Sequence, residues 1–191
     1  TGTGKTAALT LPILQCLLPH ASSSPSPARH PVRALILAPT RELALQVFES
    51  VKAYSKHTPL REMCAFGGVD IKPQIEELRR GIEILVATPG RLLDHVEQKS
   101  VSFAAVQALV LDEADRMLDM GFKEEMDELL GALPPGRQTL FFSATMSPGV
   151  SRLIKSFGND PQIVEIQQKS RTVSTVEQSY FEVRQRSKVE V

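Results

Sequence analysis

Short apolar runs alternate along this chain with stretches of helical spacing, and that alternation limits the fold more than any other feature. Several of the runs are apolar at every position, as strands are when helices cover both faces of a sheet. Strands that alternate with helices predict an α/β fold with a mostly parallel central sheet flanked by helices. The predicted strands span residues 34–38, 63–66, 84–87, 108–111, 139–142 and 163–166.

Capping residues and helix breakers mark several segments between these strands. Asp70 is placed to cap a helix that carries Pro73 in its first turn and ends at Gly81. Thr88–Pro89 and Ser147–Pro148 each put a capping hydroxyl before a proline, which is typical of the first turn of a helix. We therefore expect helices after each of these signals.

Polar segments and the two ends of the chain predict its domain organisation. The proline-rich stretch 21–30 reads as a solvated connection without a catalytic role. Residues 1–168 are expected to form one domain, 169–179 a linker, and 180–191 the start of a second domain. No strand precedes Thr1, where a phosphate-binding loop needs one, so we expect the chain to be part of a longer protein that holds this first strand.

Composition is that of an ordinary globular protein. Of 191 residues, 42% are hydrophobic and 23% charged, and the net charge of zero neither indicates nor excludes a nucleic-acid partner. No apolar run approaches the roughly 18 residues that a membrane-spanning helix needs, so no membrane partner is expected. Cys16 and Cys64 are predicted to be reduced, buried thiols of a cytoplasmic protein, with a nucleus or organelle left open.

The four histidines show no metal-ligand spacing and are expected at the surface. They are His20, His30, His57 and His95. With no Trp and only two Tyr, the chain also lacks an aromatic platform on which bases could stack.

The run Thr1–Thr6 is the last part of a phosphate-binding loop. Gly2 and Gly4 let backbone N–H groups face phosphates, and Lys5 reaches the β- and γ-phosphates. The hydroxyl of Thr6 is placed to bind Mg²⁺. An amphipathic helix follows, and the positive end of its dipole is directed towards the triphosphate. Thr1 and Thr3 belong to the same predicted nucleotide-binding loop.

The run Asp112–Asp115 follows the apolar strand at 108–111 and supplies the matching carboxylates. Asp112 is expected to hold Mg²⁺, largely through water, and Glu113 to orient and deprotonate the attacking water. Phosphoryl transfer requires mainly positioning and charge neutralisation, which one carboxylate at the metal and one at the water provide. An acidic run at a strand end is a poor candidate for a merely solvated loop.

Further polar loops follow other strands and fit neither core packing nor nucleotide chemistry. They contain Pro39, Thr40 and Arg41, then Gly67 and Gly68, then Thr88, Pro89, Gly90 and Arg91, and finally Ser143–Thr145. The carboxyl ends of strands are where ligands of α/β sheets bind. The first three loops could together follow a sugar–phosphate backbone, with arginines and helix N-termini contacting phosphates.

With these motifs in their order, the chain resembles the first of the two RecA-like domains of a DEAD-box RNA helicase, a P-loop ATPase domain. Nearly all of the chain takes part in the resemblance. The insertion at 21–30 and the sequence between the motifs are most similar to the bacterial RhlE-like branch. The matching runs are Thr1–Thr6, Pro39–Ala44, Gly67–Gly68, Thr88–Arg91, Asp112–Asp115 and Ser143–Thr145.

The resemblance implies roles for these residues. Thr1–Thr6, Asp112, Glu113 and Asp115 would bind ATP and Mg²⁺, while Asp115, Ser143 and Thr145 would couple nucleotide state to RNA binding. The three strand-end loops would hold one strand of single-stranded or short duplex RNA without reading its sequence. A second RecA-like domain of the same protein would complete the ATP site with arginines. Protein partners are not implied.

Other functions remain open from sequence alone. One is an ATP-dependent RNA clamp or scaffold that opens no duplex; another is a different P-loop enzyme such as a small-molecule kinase. A DNA helicase is the nearest alternative, and Asp115 favours RNA through the resemblance only.

Overall fold

A five-stranded parallel sheet forms the centre of the molecule in the computed structural model, which describes residues 4–165. The strand order is β2-β3-β1-β4-β5, and every neighbouring pair is parallel, which confirms the predicted α/β class. The strands are β1 Ala34–Leu37, β2 Glu62–Ala65, β3 Ile84–Ala87, β4 Ala108–Leu111 and β5 Gln138–Phe141.

Helices cover the sheet on both faces, which explains why several strands carry apolar residues throughout. In β1, Ala34 and Ile36 pack under the first two helices, whereas Leu35 and Leu37 join the core on the other face. The helices are α1 Lys5–Leu17, α2 Arg41–Ser55, α3 Lys72–Arg79, α4 Pro89–Glu97, α5 Ala114–Asp119, α6 Lys123–Gly131 and α7 Pro148–Phe157, with short 3₁₀ turns at Leu18–His20 and Pro27–Arg29.

The strand register brings the carboxyl ends of all the strands to one edge of the sheet. Leu37 at the end of β1 pairs with Ala87 of β3 and with Leu111 of β4. Ala87 also pairs with Ala65, and Leu111 with Phe141, at the same level. The loops that leave these residues therefore start side by side.

The predicted strand at 163–166 is wrong over the residues that the structure describes. Residues 163–165 have no strand partner, and Ile163 and Val164 are 72% and 87% exposed. An apolar run forms a strand only beside a neighbour that accepts its backbone hydrogen bonds, and the described part of the chain places none there. The expected linker at 169–179 and the strand at 180–183 lie outside the described residues.

Two helix caps differ from the sequence prediction. Ile71, and not Asp70, is the N-cap of α3, although Asp70 accepts a hydrogen bond from the Lys72 N–H at 3.1 Å. Thr88 is the N-cap of α4 but makes no side-chain capping bond. The cap at Ser147 is confirmed, because its hydroxyl accepts the N–H of Val150 at 3.3 Å.

Two of the histidines are buried, which corrects the prediction that all lie at the surface. His30 and His95 are 2% and 0% exposed. His30 ends the otherwise exposed stretch 21–30 and lies 2.5 Å from Glu83 through Nδ1 and 2.6 Å from the Ser24 carbonyl through Nε2. The stretch is thus attached to the start of β3 and is not only a solvated connection.

The cysteines also differ from each other. Cys16 is exposed, contrary to prediction, whereas Cys64 is partly buried. Burial, helped by the negative charges of Glu77 and Glu49, raises the pKa of the Cys64 thiol to about 12. Cys64 is therefore an unreactive thiol at neutral pH. Within residues 4–165, no helix has both the length and the apolar content to cross a membrane.

Candidate active site

The start of α1 has the features that favour an anion. Gly4 is the N-cap with φ at +70°, a left-handed conformation that glycine adopts without strain, and no side chain among residues 4–165 caps this helix. The first N–H groups of α1 therefore lack intrahelical partners and face outward with the positive end of the helix dipole. Lys5 is exposed and Thr6 half-buried beside it, while 1–3 lie outside the described residues.

Asp112 is a buried carboxylate at the end of β4. It is 6% exposed, and its backbone N–H donates to the Leu37 carbonyl at 2.9 Å, which extends the ladder to the sheet edge. Burial raises the pKa of Asp112, and the charge of Glu113 raises it further, while Lys5 and the Glu113 backbone N–H act against both.

This donor set fits a hard divalent cation. Two adjacent carboxylates, one of them buried, gain from a positive ion that offsets desolvation and mutual repulsion. Among residues 4–165 no group of three or more His, Cys, Asp or Glu side chains is arranged around one point. An ion at Asp112 would thus take most of its ligands from water and substrate, as Mg²⁺ usually does.

Glu113 holds a strained backbone conformation at the mouth of the cavity described below. Its φ and ψ are both 52°, which costs a non-glycine residue about 1–2 kcal/mol. The turn starts α5 immediately, and the N–H of Ala114 donates to the Phe142 carbonyl at 3.0 Å. Strain of this kind is concentrated at functional sites. The Glu113 carboxylate is left half-buried, with Arg116 at 3.1 Å.

A direct contact joins the acidic run to the loop after β5. The N–H and the hydroxyl of Thr145 both donate to Oδ2 of Asp115, at 2.9 and 2.8 Å, and Ser143 donates to the Thr145 carbonyl at 2.7 Å. Partial burial raises the pKa of Asp115, but the hydrogen bonds from Thr145 outweigh it and hold the pKa below its usual range. The two loops are therefore linked through an ionised carboxylate.

These elements enclose a cavity of about 250 Å³ beside the start of α1. It brings together the predicted residues Lys5, Glu113, Asp115 and Ser143, whereas Asp112, Thr6 and Thr145 lie outside its lining. Sequence reasoning missed two charged members of the lining, although both follow the acidic run within two turns of helix. The described residues that line the cavity are Lys5, Glu113, Asp115, Arg116, Asp119, Phe142, Ser143 and Ala144.

The loops after β1 and β2 meet through an arginine and an aromatic ring. Thr40 caps α2 by accepting the N–H of Leu43 at 3.3 Å. The guanidinium of exposed Arg41 lies 4.6 Å from the centre of the Phe66 ring, a cation–π distance. Gly68 has φ at +80°, and a Cβ there would lie 4.0 Å from Nη1 of Arg41. Glycine at position 68 thus leaves the space beside the Arg41 guanidinium free of a side chain.

The loop after β3 presents a second arginine. Arg91 donates to the Val69 carbonyl at 2.8 Å and to Asp94 at 3.2 Å, yet its buried Nη1 has no hydrogen-bond partner. An unpaired buried guanidinium nitrogen is costly, and an anionic ligand would satisfy it. The hydroxyl of Thr88 makes no cap, and nothing lies within 4 Å of a Cβ built on Gly90. Pro39 and Pro89 are buried behind these loops.

Family comparison agrees with this arrangement. A family model described as DEAD/DEAH box helicase matches residues 1–153. The DEAD-box ATP-dependent RNA helicase CshA of Bacillus cereus is 41% identical over 191 residues. Proteins of the same name in Geobacillus kaustophilus and Bacillus subtilis are each 40% identical, over 191 and 188 residues.

The chain covers only part of these relatives. All of it aligns with the Bacillus cereus and Geobacillus kaustophilus proteins, and 98% with that of Bacillus subtilis, but it spans 35%, 39% and 36% of their lengths. The RhlE-like branch stays a prediction. The family model covers most of the chain, and so this chain belongs to the DEAD/DEAH box helicase family.

Proposed function

We propose that this chain is the first RecA-like motor domain of an ATP-dependent RNA helicase. In this proposal residues 1–168 bind and hydrolyse ATP and use the cycle to grip RNA and open short duplexes locally. The observation that carries it is the shared sheet edge: loops after β1, β2 and β3 offer phosphate contacts, and those after β4 and β5 line the cavity at α1. The relatives named above are described as ATP-dependent RNA helicases.

The nucleotide would bind at α1 with its triphosphate against the helix N-terminus. Backbone N–H groups of 1–4 and the Lys5 ammonium would contact the phosphates. Thr6 and Asp112 would hold Mg²⁺, which supplies charge neutralisation at the β- and γ-phosphates. Glu113, half-buried in the cavity lining, would orient a water molecule and accept its proton.

One RNA strand would lie across the loops after β1, β2 and β3. The Arg91 side chain would turn so that Nη1, which is buried and unpaired here, reaches a phosphate. Arg41 would offer another cationic contact above the Phe66 ring. The remaining contacts would be hydroxyls and backbone N–H groups facing phosphates and 2′-hydroxyls, which do not distinguish base sequence. Thr40 and Thr88 would supply the hydroxyls, and Gly67, Gly68 and Gly90 the N–H groups. The assigned prolines, Pro39 and Pro89, have no N–H to donate and would fix the backbone of the same loops.

The link between the two sites would run through Asp115. Its carboxylate accepts two hydrogen bonds from Thr145. A shift of the loop after β5 would therefore change the hydrogen bonds of the acidic run. Ser143, which lines the cavity and donates to the Thr145 carbonyl, would report the state of the γ-phosphate. Coupling by such a network requires two arrangements of the same hydrogen-bonding groups.

The whole protein would contain a second RecA-like domain, joined through 169–179 and beginning at 180–191. That domain would close on the first when ATP and RNA are bound, and it would contribute arginines to the ATP site. The protein would act in the cytoplasm on RNA and without a membrane.

Phosphate release by the full-length protein tests this proposal. We expect single-stranded RNA to stimulate ATP turnover, and DNA of the same sequence to have no more effect than buffer. Glu113→Gln keeps the size of the side chain but removes the base, so turnover should fall by about 10²–10⁴ while ATP-dependent RNA binding persists. Lys123→Ala, on the exposed face of α6, is the control that should change nothing. Equal rates with RNA, DNA and buffer would overturn the proposal.

A further inference from the structure

A buried hydrogen-bond chain connects α3 and α4 to the loop after β2. Gln74 on α3 is 8% exposed and His95 on α4 is 0% exposed. Gln74 Nε2 donates to the Phe66 carbonyl at 3.2 Å, His95 Nε2 lies 3.1 Å from Gln74 Oε1, and His95 Nδ1 lies 2.7 Å from the Ser100 hydroxyl.

The partners fix the direction of the two hydrogen bonds that Gln74 makes. The Phe66 carbonyl can only accept, so the amide nitrogen of Gln74 faces it and the amide oxygen faces His95. His95 must then donate from Nε2. The single proton of the Ser100 hydroxyl has two acceptors within reach, a neutral Nδ1 at 2.7 Å and the His95 carbonyl at 3.0 Å. Burial lowers the pKa of His95, and the neighbouring charge of Arg91 lowers it further against the opposing effect of Asp94. The neutral tautomer with its proton on Nε2 is therefore the form that fits.

The chain ends at the backbone of a loop that the proposed function assigns to RNA. Phe66 immediately precedes Gly67 and Gly68, and its ring lies beneath the guanidinium of Arg41. A second tie joins α4 to the same loop, because Arg91 Nη2 donates to the Val69 carbonyl at 2.8 Å. The two ties bracket the glycines, so α4 and this loop are held together on either side of the turn.

We infer that Gln74 and His95 are positioning residues for RNA binding, an inference that rests on the proposed function. Neither side chain reaches the surface, so neither touches RNA. Together they hold the Phe66 carbonyl and thereby set the height of the Gly67–Gly68 turn relative to the first turn of α4, which carries Thr88, Gly90 and Arg91. Three strand-end loops must present phosphate contacts at a fixed spacing, and loops do not keep such spacing without support.

A purely structural role would predict a different sequence. Packed apolar side chains of similar volume would serve stability as well, since a buried polar network must repay its own desolvation. A directional chain that ends on one specific carbonyl restricts geometry in a way that apolar contacts do not. That restriction falls on the loop that the proposed function needs in place.

Substitutions at both positions separate positioning from stability. Gln74→Glu keeps an oxygen for His95 but no longer donates to Phe66, and His95→Phe removes the donor to Gln74. In the full-length protein, we expect each to raise the RNA concentration for half-maximal stimulation of ATP turnover by about 5–20-fold, while kcat at saturating RNA stays within about twofold of the wild type. His95→Gln restores a donor near Nε2 and should recover most of the RNA affinity.

His30→Phe is the matched control. His30 is equally buried and equally hydrogen-bonded, but it lies at the amino ends of the strands next to Glu83. It should lower the melting temperature as much as His95→Phe does, and leave the RNA dependence unchanged. If His30→Phe and His95→Phe shift the RNA dependence equally, or if neither shifts it, the positioning role is overturned.

Hydrogen exchange gives a readout that does not depend on RNA. The Thr88 N–H donates to the Ala65 carbonyl at 3.0 Å, one residue before Phe66. In Gln74→Glu this amide should exchange about tenfold faster than in the wild type, while those of β1 keep their protection. Suppose that exchange is faster in Gln74→Glu, but that RNA does not stimulate ATP turnover by the wild-type protein. The hydrogen-bond chain would then hold the loop as inferred, and the proposed function would be wrong. Unchanged exchange at the Thr88 amide would overturn the inference itself.

Discussion

At the scale of single residues, the site keeps groups that the fold would be more stable without. Asp112 is the clearest case, because burial and the neighbouring Glu113 both raise its pKa. A carboxyl group with a raised folded-state pKa contributes stability below its unfolded pKa, and that contribution is lost as the pH rises through the folded pKa. At neutral pH, ionised Asp112 therefore destabilises the domain when no cation is bound.

Asp112→Asn should consequently raise the melting temperature at pH 7 without nucleotide or divalent cation, and abolish ATP turnover. The gain in stability should shrink as the pH falls towards about 4, the ordinary pKa of aspartate, because the wild-type carboxyl is then protonated as well. Thermal melts of both proteins from pH 4 to 8 measure this. Asp119→Asn, at an exposed position of α5, should give no such gain. A lower melting temperature of Asp112→Asn at pH 7 would contradict the argument.

At the scale of elements, the end of α3 shows how one glycine joins two parts of the chain. Gly81 has φ at +85°, and a Cβ there would lie 2.8 Å from both the Pro27 carbonyl and the His30 Cβ. The stretch 21–30 therefore packs directly on this turn. Gly121 has nearly the same φ, at +88°, but no atom within 4 Å of a built Cβ.

The two glycines make a matched pair for mutation. Gly121→Ala should cost only the backbone strain, about 1–2 kcal/mol of unfolding free energy. Gly81→Ala should cost about 1–3 kcal/mol more, because neighbouring backbone must move to relieve the overlap. Urea denaturation of the two variants measures the difference. Equal losses would mean that the stretch 21–30 yields freely and does not pack against Gly81 as described.

The elements that sequence predicted best are those with local causes. The apolar runs of β1, β3 and β4 were located to within a residue, because strands covered on both faces need apolar side chains at every position. The turn at Gly81 was equally clear from its glycine. The run at 163–166 has the same local pattern but no strand beside its described residues. Whether an apolar run forms a strand depends on a neighbouring strand elsewhere in the fold, and the sequence of the run alone does not reveal that neighbour.

The burial of His95 and His30 escaped prediction for the same reason. Motif residues such as Glu113 are recognisable from their neighbours in sequence. His95 and His30 owe their burial to partners 21 and 53 residues away, Gln74 and Glu83. An isolated histidine in a polar helix or loop gives no sign of such a partner, so both were expected at the surface.

At the scale of the whole molecule, the parallel sheet accounts for the neighbourhood of the two proposed sites. The order β2-β3-β1-β4-β5 separates the strands that precede the three loops proposed to bind RNA from those that precede the cavity, with β1 and β4 paired at the boundary. Each loop alone resembles an ordinary helix cap. The topology turns them into one continuous edge, and the Asp115–Thr145 contact ties together the two loops at its nucleotide end.

This edge belongs to one domain, and that leads to a prediction about residues 1–191 on their own. Among the described residues that line the cavity of about 250 Å³, the only arginine is Arg116, whose guanidinium donates to Glu113. Charge developing on the γ-phosphate during transfer needs further cationic groups, and a missing arginine finger costs about 10³–10⁵ in rate. The proposed second domain would supply them.

We therefore expect the isolated chain to hydrolyse ATP at least about 10³-fold more slowly than the full-length protein at saturating RNA, and to unwind no duplex. Phosphate release by both proteins at equal concentration measures the ratio, and Lys5→Ala in each provides the background. The isolated chain should still bind RNA weakly, because the loops after β1, β2 and β3 are intact within it. Turnover within tenfold of the full-length rate would show that this domain completes its own ATP site, and the proposed role of a second domain would then be wrong.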